Sequence, residues 1–337
     1  MSNSGTHAQT ATVEGPKRGS SFTDFFSRLL KEKPLGTVGV IVVLVLLVLG
    51  VFADLAWLGM PGIGLAPEGY NEIHLKDRME PPSARYILGT DGLGRDELSR
   101  IIHGARISMI VGLGASAIAT AIAAIIAVTS GYIGGRFDLI VQRFVDAWLC
   151  FPTLVLLLTA MAIIGPGIVQ VTLVLGIASG IGSSRLVRSA VIAIRENVYI
   201  EAARAIGSST PRILTRHVLP NVVPFLIIFF TVGMAGMIIG EASLSFLGFG
   251  VPPPQPSWGG MLSGEGRAYM LRAPWLALWP GLALTIVVYG INMFGDAVRD
   301  LLDPRLRGGV GRYGGVKMRA AKIKKPDEGQ TLTTSTK

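Results

Sequence analysis

The 337-residue chain offers few groups that could do chemistry, and one polar island stands apart from the rest. Glu201-Ala-Ala-Arg-Ala-Ile-Gly207, followed by Leu219-Pro220-Asn221, lies between two long apolar runs. Glu201 and Arg204 can make charge-assisted hydrogen bonds. Ala202 and Ala203 are small enough to let another surface come close. Such a segment is either an interfacial helix that merely joins two spans or a docking element; nothing in it pairs a nucleophile with a base.

Other reactive groups are scattered. His7, His74, His103 and His217 all fall outside the apolar centres, so neither a metal cluster nor a Ser–His pair is suggested. There is no H-E-x-x-H and no G-x-x-x-x-G-K-[ST], so the chain has no phosphate-cradling loop and no usual route to ATP hydrolysis. The single cysteine, Cys150, sits in an apolar run and reads as helix packing, with no internal disulfide available to it. Ion-coupled carriers place ionisable groups at mid-membrane. The candidates here are Asp146, Glu241 and Asp296, each either a helix-end or interface residue or a proton relay. The chain is expected to bind no cofactor or metal of its own. If it transports, it needs energy from elsewhere.

The elements that must position the island are membrane spans. Half of the residues are apolar and 16% are charged, against about 25% in soluble domains. The apolar residues come in unbroken blocks, which marks a bilayer as solvent. Six spans are expected: 35–58, 107–129, 139–164, 168–187, 222–240 and 274–294. In the fourth, the Gly/Ser-rich stretch Ser179–Ser184 weakens the signal and Arg185 ends it early. Ahead of them, residues 1–33 read as a polar tail with a short surface helix carrying Phe22, Phe25, Phe26, Leu29 and Leu30. Residues 34–58 form the first transmembrane helix, 59–105 an extracytoplasmic connection, 106–303 a five-helix core with a cytoplasmic loop at 188–220, and 304–337 a basic tail.

Charge fixes the expected orientation. With the N-terminus inside, most of the 31 Lys and Arg residues fall on the cytoplasmic side, including Arg185, Arg188, Arg195, Arg204, Arg212 and Arg216 in one connection. Both termini are then cytoplasmic. This bias accounts for the net charge of +9 without nucleic acid, and it places the Lys317–Lys325 cluster near anionic lipid.

Locally the island predicts two short helices. Asn197–Ile206 is the first, stopped by Gly207. Ser209 or Thr210 caps the second, with Pro211 in its first turn, and Pro220 ends it before the chain re-enters the membrane.

E-A-A-x-x-x-G, met by Glu201, Ala202, Ala203 and Gly207, with Leu219-Pro220 beyond it, resembles the signature loop of permease subunits of ABC importers. His217 departs from the aliphatic residue usual there, yet Arg216-His-Val-Leu-Pro-Asn221 is similar to the dipeptide/oligopeptide/nickel branch. Leu88–Asp96 with Gly104–Ser108, Glu241–Gly248 with Pro256–Gly259, and Asp296 through Asp303–Leu306 resemble the same branch in the same order. The end of the fourth span, Gly180–Arg185, departs from it.

The resemblance implies an all-α polytopic protein of six transmembrane helices with type I ABC importer permease (MetI-like) architecture, in a prokaryotic plasma membrane. It implies that Glu201, Ala202, Ala203, Arg204, Gly207, Leu219 and Pro220 couple to a separate ATPase subunit, which would hold the ATP and Mg. It further implies a second permease subunit, of a different chain, and an extracytoplasmic substrate-binding protein. Small residues let helices meet closely in lipid. Gly233, Gly236 and Gly240, with Glu241, are therefore expected at the translocation path or the subunit interface. Trp258 is expected to meet the binding protein. An ion-coupled carrier acting alone is the alternative, with Asp146 or Glu241 as its titrating site.

Overall fold

The computed structural model describes residues 33–54 and 64–302. The surface helix around Phe22–Leu30, the end of the first span, the match at Asp303–Leu306 and the basic tail lie outside the described residues. Among the described residues every regular element is helical.

Helix α1 (Pro34–Phe52) has Pro34 in its first turn, where the missing N–H would have had no partner. It crosses α10 (Trp275–Leu302) at glycines. A Cβ on Gly39 would stand 2.5 Å from Gly290 O, and one on Gly290 would stand 2.5 Å from Val42, so only hydrogen fits at either position. At one end of this pair, Lys33 Nζ donates to Asp300 Oδ2 at 2.5 Å.

Helix α2 (Glu97–Ile133) is 37 residues long, about 55 Å at 1.5 Å per residue, and outruns a bilayer core of about 30 Å. The expected span 107–129 lies inside it, and the expected connection 59–105 contains its first two turns. The charges that made this stretch look aqueous are held within the fold. Asp54 lies 3.1 Å from His103 Nε2 and 3.1 Å from Arg106 Nη1, and Arg106 Nε donates to Gly50 O at 2.8 Å. Burial pushes the Asp54 carboxyl up, but Arg106 and His103 outweigh it and hold the group below its usual range. Asp96 caps the helix, accepting from Ser99 N at 2.8 Å. Residues 64–96 pack over this end. There the Tyr86 hydroxyl donates to Asp77 at 2.7 Å, and burial together with that carboxylate pushes the phenol up to about 12.

The expected third span is two helices. α3 (Gly135–Leu149) and α4 (Thr153–Ile164) meet at an 86° bend over Cys150–Pro152. Pro152 cannot continue the ladder and biases Phe151 away from helix. Among the described residues five helices are thus long and apolar enough to cross a membrane, or six if the bent pair counts as one span. α4 alone covers only about 18 Å. Cys150 is exposed at the bend and is not a packing residue.

Helix α5 (Ile168–Arg195) runs straight through Ser179–Ser184 and ten residues past Arg185. Its glycines are interface positions. A Cβ on Gly176 would stand 2.7 Å from Ile118 Cβ, and one on Gly180 would stand 2.9 Å from Ala119 O. Opposite them, Ala115, Ala119 and Ala123 of α2 are fully buried. Close α2–α5 packing replaces the helix propensity that glycine lacks. Arg185 and Arg188 do not end the helix because α3 supplies Asp146 and Asp138 as partners.

Gly180→Val should lower the melting temperature of the purified protein by several degrees, consistent with an overpacking cost of about 1–3 kcal/mol. Gly236→Ala, whose Cβ would meet nothing within 4 Å in the interior of a helix, should not lower it. Asp54 contributes stability above the ordinary carboxylate pKa, near 4, and loses it as pH falls through its lowered value. The acid-side fall in melting temperature should therefore be shallower in Asp54→Asn than in the wild type.

Candidate functional site

The polar island folds at the end of the bundle where α2 and α5 finish. Helix α6 (Val198–Ala205) follows Asn197, whose side chain bonds back to Ala193 O at 3.2 Å and Ile194 O at 3.0 Å. It stops at Gly207, with φ +79°. Gly207 N donates to Arg204 O at 2.9 Å and Ser208 N to Ala203 O at 3.1 Å, the paired bonds of a Schellman cap.

The helix has two faces. Ile200 and Ala203 point inward, onto Val187, Val191, Ile213 and Val218, all buried. Burying large aliphatic side chains contributes roughly 2 kcal/mol each, which fixes α6 to the bundle. Outward stand Glu201, Ala202 and Ala205, with Val198 80% and Ile206 82% exposed. Nothing lies within 4 Å of where a Gly207 Cβ would be. Arg204 is turned sideways: its guanidinium stacks on the Tyr132 ring at 4.9 Å and its Nε donates to the Tyr132 hydroxyl at 3.1 Å.

This arrangement divides the expected coupling residues. Glu201, Ala202 and Gly207 share the open face. Ala203 is 5% exposed and serves the core, because the helix turns by about 100° from one alanine to the next and carries the second inward. Leu219 and Pro220 do not close a separate helix. α7 (Thr210–Ile213), with Ser209 at its N-cap position but no side-chain capping bond, continues through a π turn at Leu214–Val218 into α8 (Leu219–Phe246), one helical run of 37 residues. In the π turn Leu219 N donates to Leu214 O. The widened step gives Pro220, near the start of α8, room without breaking the helix.

Val198 and Ile206 were missed by the reading of the motif. The signal was present: Val198, Ala202, Ala205 and Ile206 recur at helical spacing in an otherwise polar connection.

The residues expected along α8 separate as well. Gly236 is exposed and Gly233 half-exposed. Gly240 is half-exposed and faces α5 of the same chain, where a Cβ would meet Leu175 at 2.8 Å. Glu241 is fully buried and its carboxylate accepts from Ser245 Oγ at 2.6 Å. It lies within the chain's own fold because α8 runs six residues further than expected and turns this position inward. Trp258 opens the short α9 (Trp258–Met261) and is 2% exposed, donating to Ile101 O at 3.1 Å over the bare Cα of Gly104. It offers no surface to a binding protein. The missing Cβ of Gly104 is what seats it.

The remaining carrier candidates have ordinary settings. Asp146 bonds Arg185 and lies 3.8 Å from Arg143. Asp296 is exposed.

The family model described as binding-protein-dependent transport system inner membrane component matches residues 119–308. The chain belongs to this family, the permeases of ABC importers. The permease is 37% identical over 288 residues to the dipeptide transport system permease protein DppC of Alkalihalophilus pseudofirmus, covering 86% of this chain and 91% of that one. It is also 37% identical to the glutathione transport system permease protein GsiD of Escherichia coli O6:K15:H31, covering 84% and 90%. A chain of the inward-facing MetNI methionine ABC transporter aligns with a TM-score of 0.49 at 18% identity, over 60% of this chain and 96% of that one. The permease is a multi-pass inner membrane protein and a non-catalytic subunit, and the reading as an ion-coupled carrier acting alone is set aside.

Gly207→Val forces a β-branched side chain into the left-handed region, at a cost of about 1–2 kcal/mol. Limited proteolysis should cut between residues 197 and 209 several-fold faster in this variant, while total helix content by circular dichroism stays that of the wild type.

Proposed function

We propose that the permease forms part of the translocation path of an ATP-driven importer for peptides or a related solute such as nickel, and that α6 seats in a groove of a separate ATPase subunit that carries the ATP and Mg. The observation that carries this reading is the open face of α6. Val198, Ala202 and Ile206 present apolar surface around Glu201, on a helix whose other face is locked into the bundle. A helix that only joined two spans would have no use for two branched aliphatic residues about 80% exposed at an aqueous end. The names of the similar permeases, for dipeptides and for glutathione, support the peptide branch.

In this reading both termini and α6 face the cytoplasm, as the distribution of Lys and Arg supports. Arg204 acts indirectly, since its hold on Tyr132 ties α6 to the end of α2. The π turn joins α7 to α8, so a displacement at α6 reaches the membrane through one continuous helix. Gly236 and Gly233, on the open side of α8, suit the translocation path or the contact with a second, different permease chain. Contact with the extracytoplasmic binding protein falls to exposed residues of the opposite end, such as Leu271, 96% exposed.

In proteoliposomes holding the whole transporter, Glu201→Lys and Ile206→Asp should each reduce ATP-driven uptake at least about tenfold, the effect of losing a central contact worth about 1.4 kcal/mol or more. Both variants should insert into the membrane normally and retain less ATPase on purification. Uptake at the wild-type rate in both would refute the docking role of α6.

A further inference from the structure

Beside α6, on the side away from its open face, lies a cavity of about 510 Å³ lined by Tyr132, Ile133, Arg195, Arg204, Ser208, Thr210 and Ile213. Two guanidinium groups border it. Neither makes an ion pair among the described residues. Asp138, the carboxylate near Arg195, is taken by both arms of Arg188, with Arg188 Nε donating to it at 2.7 Å. Each guanidinium is nonetheless held in place. Arg195 Nη1 donates to Gly131 O at 3.1 Å and lies over Gly134, 2.7 Å from where a Cβ would stand. Arg204 is held by the ring and hydroxyl of Tyr132. Among the described residues each of these arginines uses a single N–H in a hydrogen bond, which leaves most of its five donors for a ligand. The Ser208 and Thr210 hydroxyls add neutral donors at the same wall.

Two fixed cations with free planar forks, two hydroxyls and no carboxylate partner suit a tetrahedral oxyanion. We propose that this pocket binds a phosphate group, presented by the headgroup of an anionic phospholipid. The membrane source is favoured by the pocket's lining. Ile133, the last residue of α2, borders the pocket and is 52% exposed, which gives an acyl chain apolar contact where the span leaves the bilayer. A phosphate held between Arg195 of α5 and Arg204 of α6 would bridge the two helices and make the stance of α6 depend on lipid. The proposal concerns binding to the permease alone and is tested without an ATPase, so its failure leaves the docking role of α6 untouched.

The test is native mass spectrometry of the purified, delipidated full chain titrated with phosphatidylglycerol or phosphatidylcholine, and in parallel with inorganic phosphate. One phosphatidylglycerol should bind at least about tenfold tighter than phosphatidylcholine. Arg195→Gln and Arg204→Gln should each weaken it about tenfold, in line with loss of charge-assisted bonds. Arg216→Gln, an exposed arginine outside the pocket, should bind as the wild type does. Inorganic phosphate bound with the same dependence on Arg195 and Arg204, and phosphatidylglycerol not preferred, would keep the phosphate site and overturn its lipid source. Equal binding of both lipids with no phosphate bound, wild-type binding by both pocket variants, or an equal loss in Arg216→Gln would each overturn the proposal.

Discussion

The inward packing of Ile200 and Ala203 onto Val187, Val191, Ile213 and Val218 is the contact on which the rest of this structure's function depends. An eight-residue helix is far too short to be stable alone in water. It persists here because one face is buried in the bundle, and only then can the opposite face be held out with Val198 and Ile206 exposed. The Schellman cap at Gly207 and the grip of Arg204 on Tyr132 fix the two sides of the same small element. A force applied to its open face is therefore carried by the ends of α2 and α5 and by the root of α8.

The bundle beneath is stiff for a related reason. Lipid tails are as apolar as the side chains they touch, so helices in a bilayer associate through close approach and not through exclusion of water. Gly176 and Gly180 of α5 against the alanines of α2, and Gly39 and Gly290 between α1 and α10, supply that approach. The end opposite α6 is tied by charge. Asp91 lies 2.6 Å from Arg95, and Asp54 joins His103 and Arg106, so the first turns of α2 tolerate ionic side chains beneath residues 64–96. The π turn before Pro220 serves continuity, keeping α7 and α8 a single lever.

Much of this was legible in the residues. Unbroken apolar blocks located every long span, and the glycine stop at 207 and the helix start after Ser209 follow from local chemistry alone. What escaped depended on partners distant in sequence. Ser179–Ser184 looked like a helix end because glycine weakens an isolated helix, and only the facing alanines of α2 reverse that. Asp138 and Asp146 neutralise Arg188 and Arg185 from across a 39- to 50-residue separation. The break at Pro152 was readable and was overridden by the length of the apolar run. Trp258 and Glu241 looked accessible in a linear sense, whereas burial is a property of the assembled chain. At the site itself, a motif read as a string put Ala202 and Ala203 together, and the helix turns one outward and the other inward.

The two faces of α6 give the most direct measurement. In a Cys150→Ser background, Ile206→Cys and Ala203→Cys can each be combined with a co-expressed complex containing the transporter's ATPase subunits and treated with a short thiol-to-amine cross-linker. A permease–ATPase cross-link is expected from position 206 and none from position 203, whose side chain is buried in the bundle. No cross-link from position 206, or cross-links of equal yield from both positions, would contradict it.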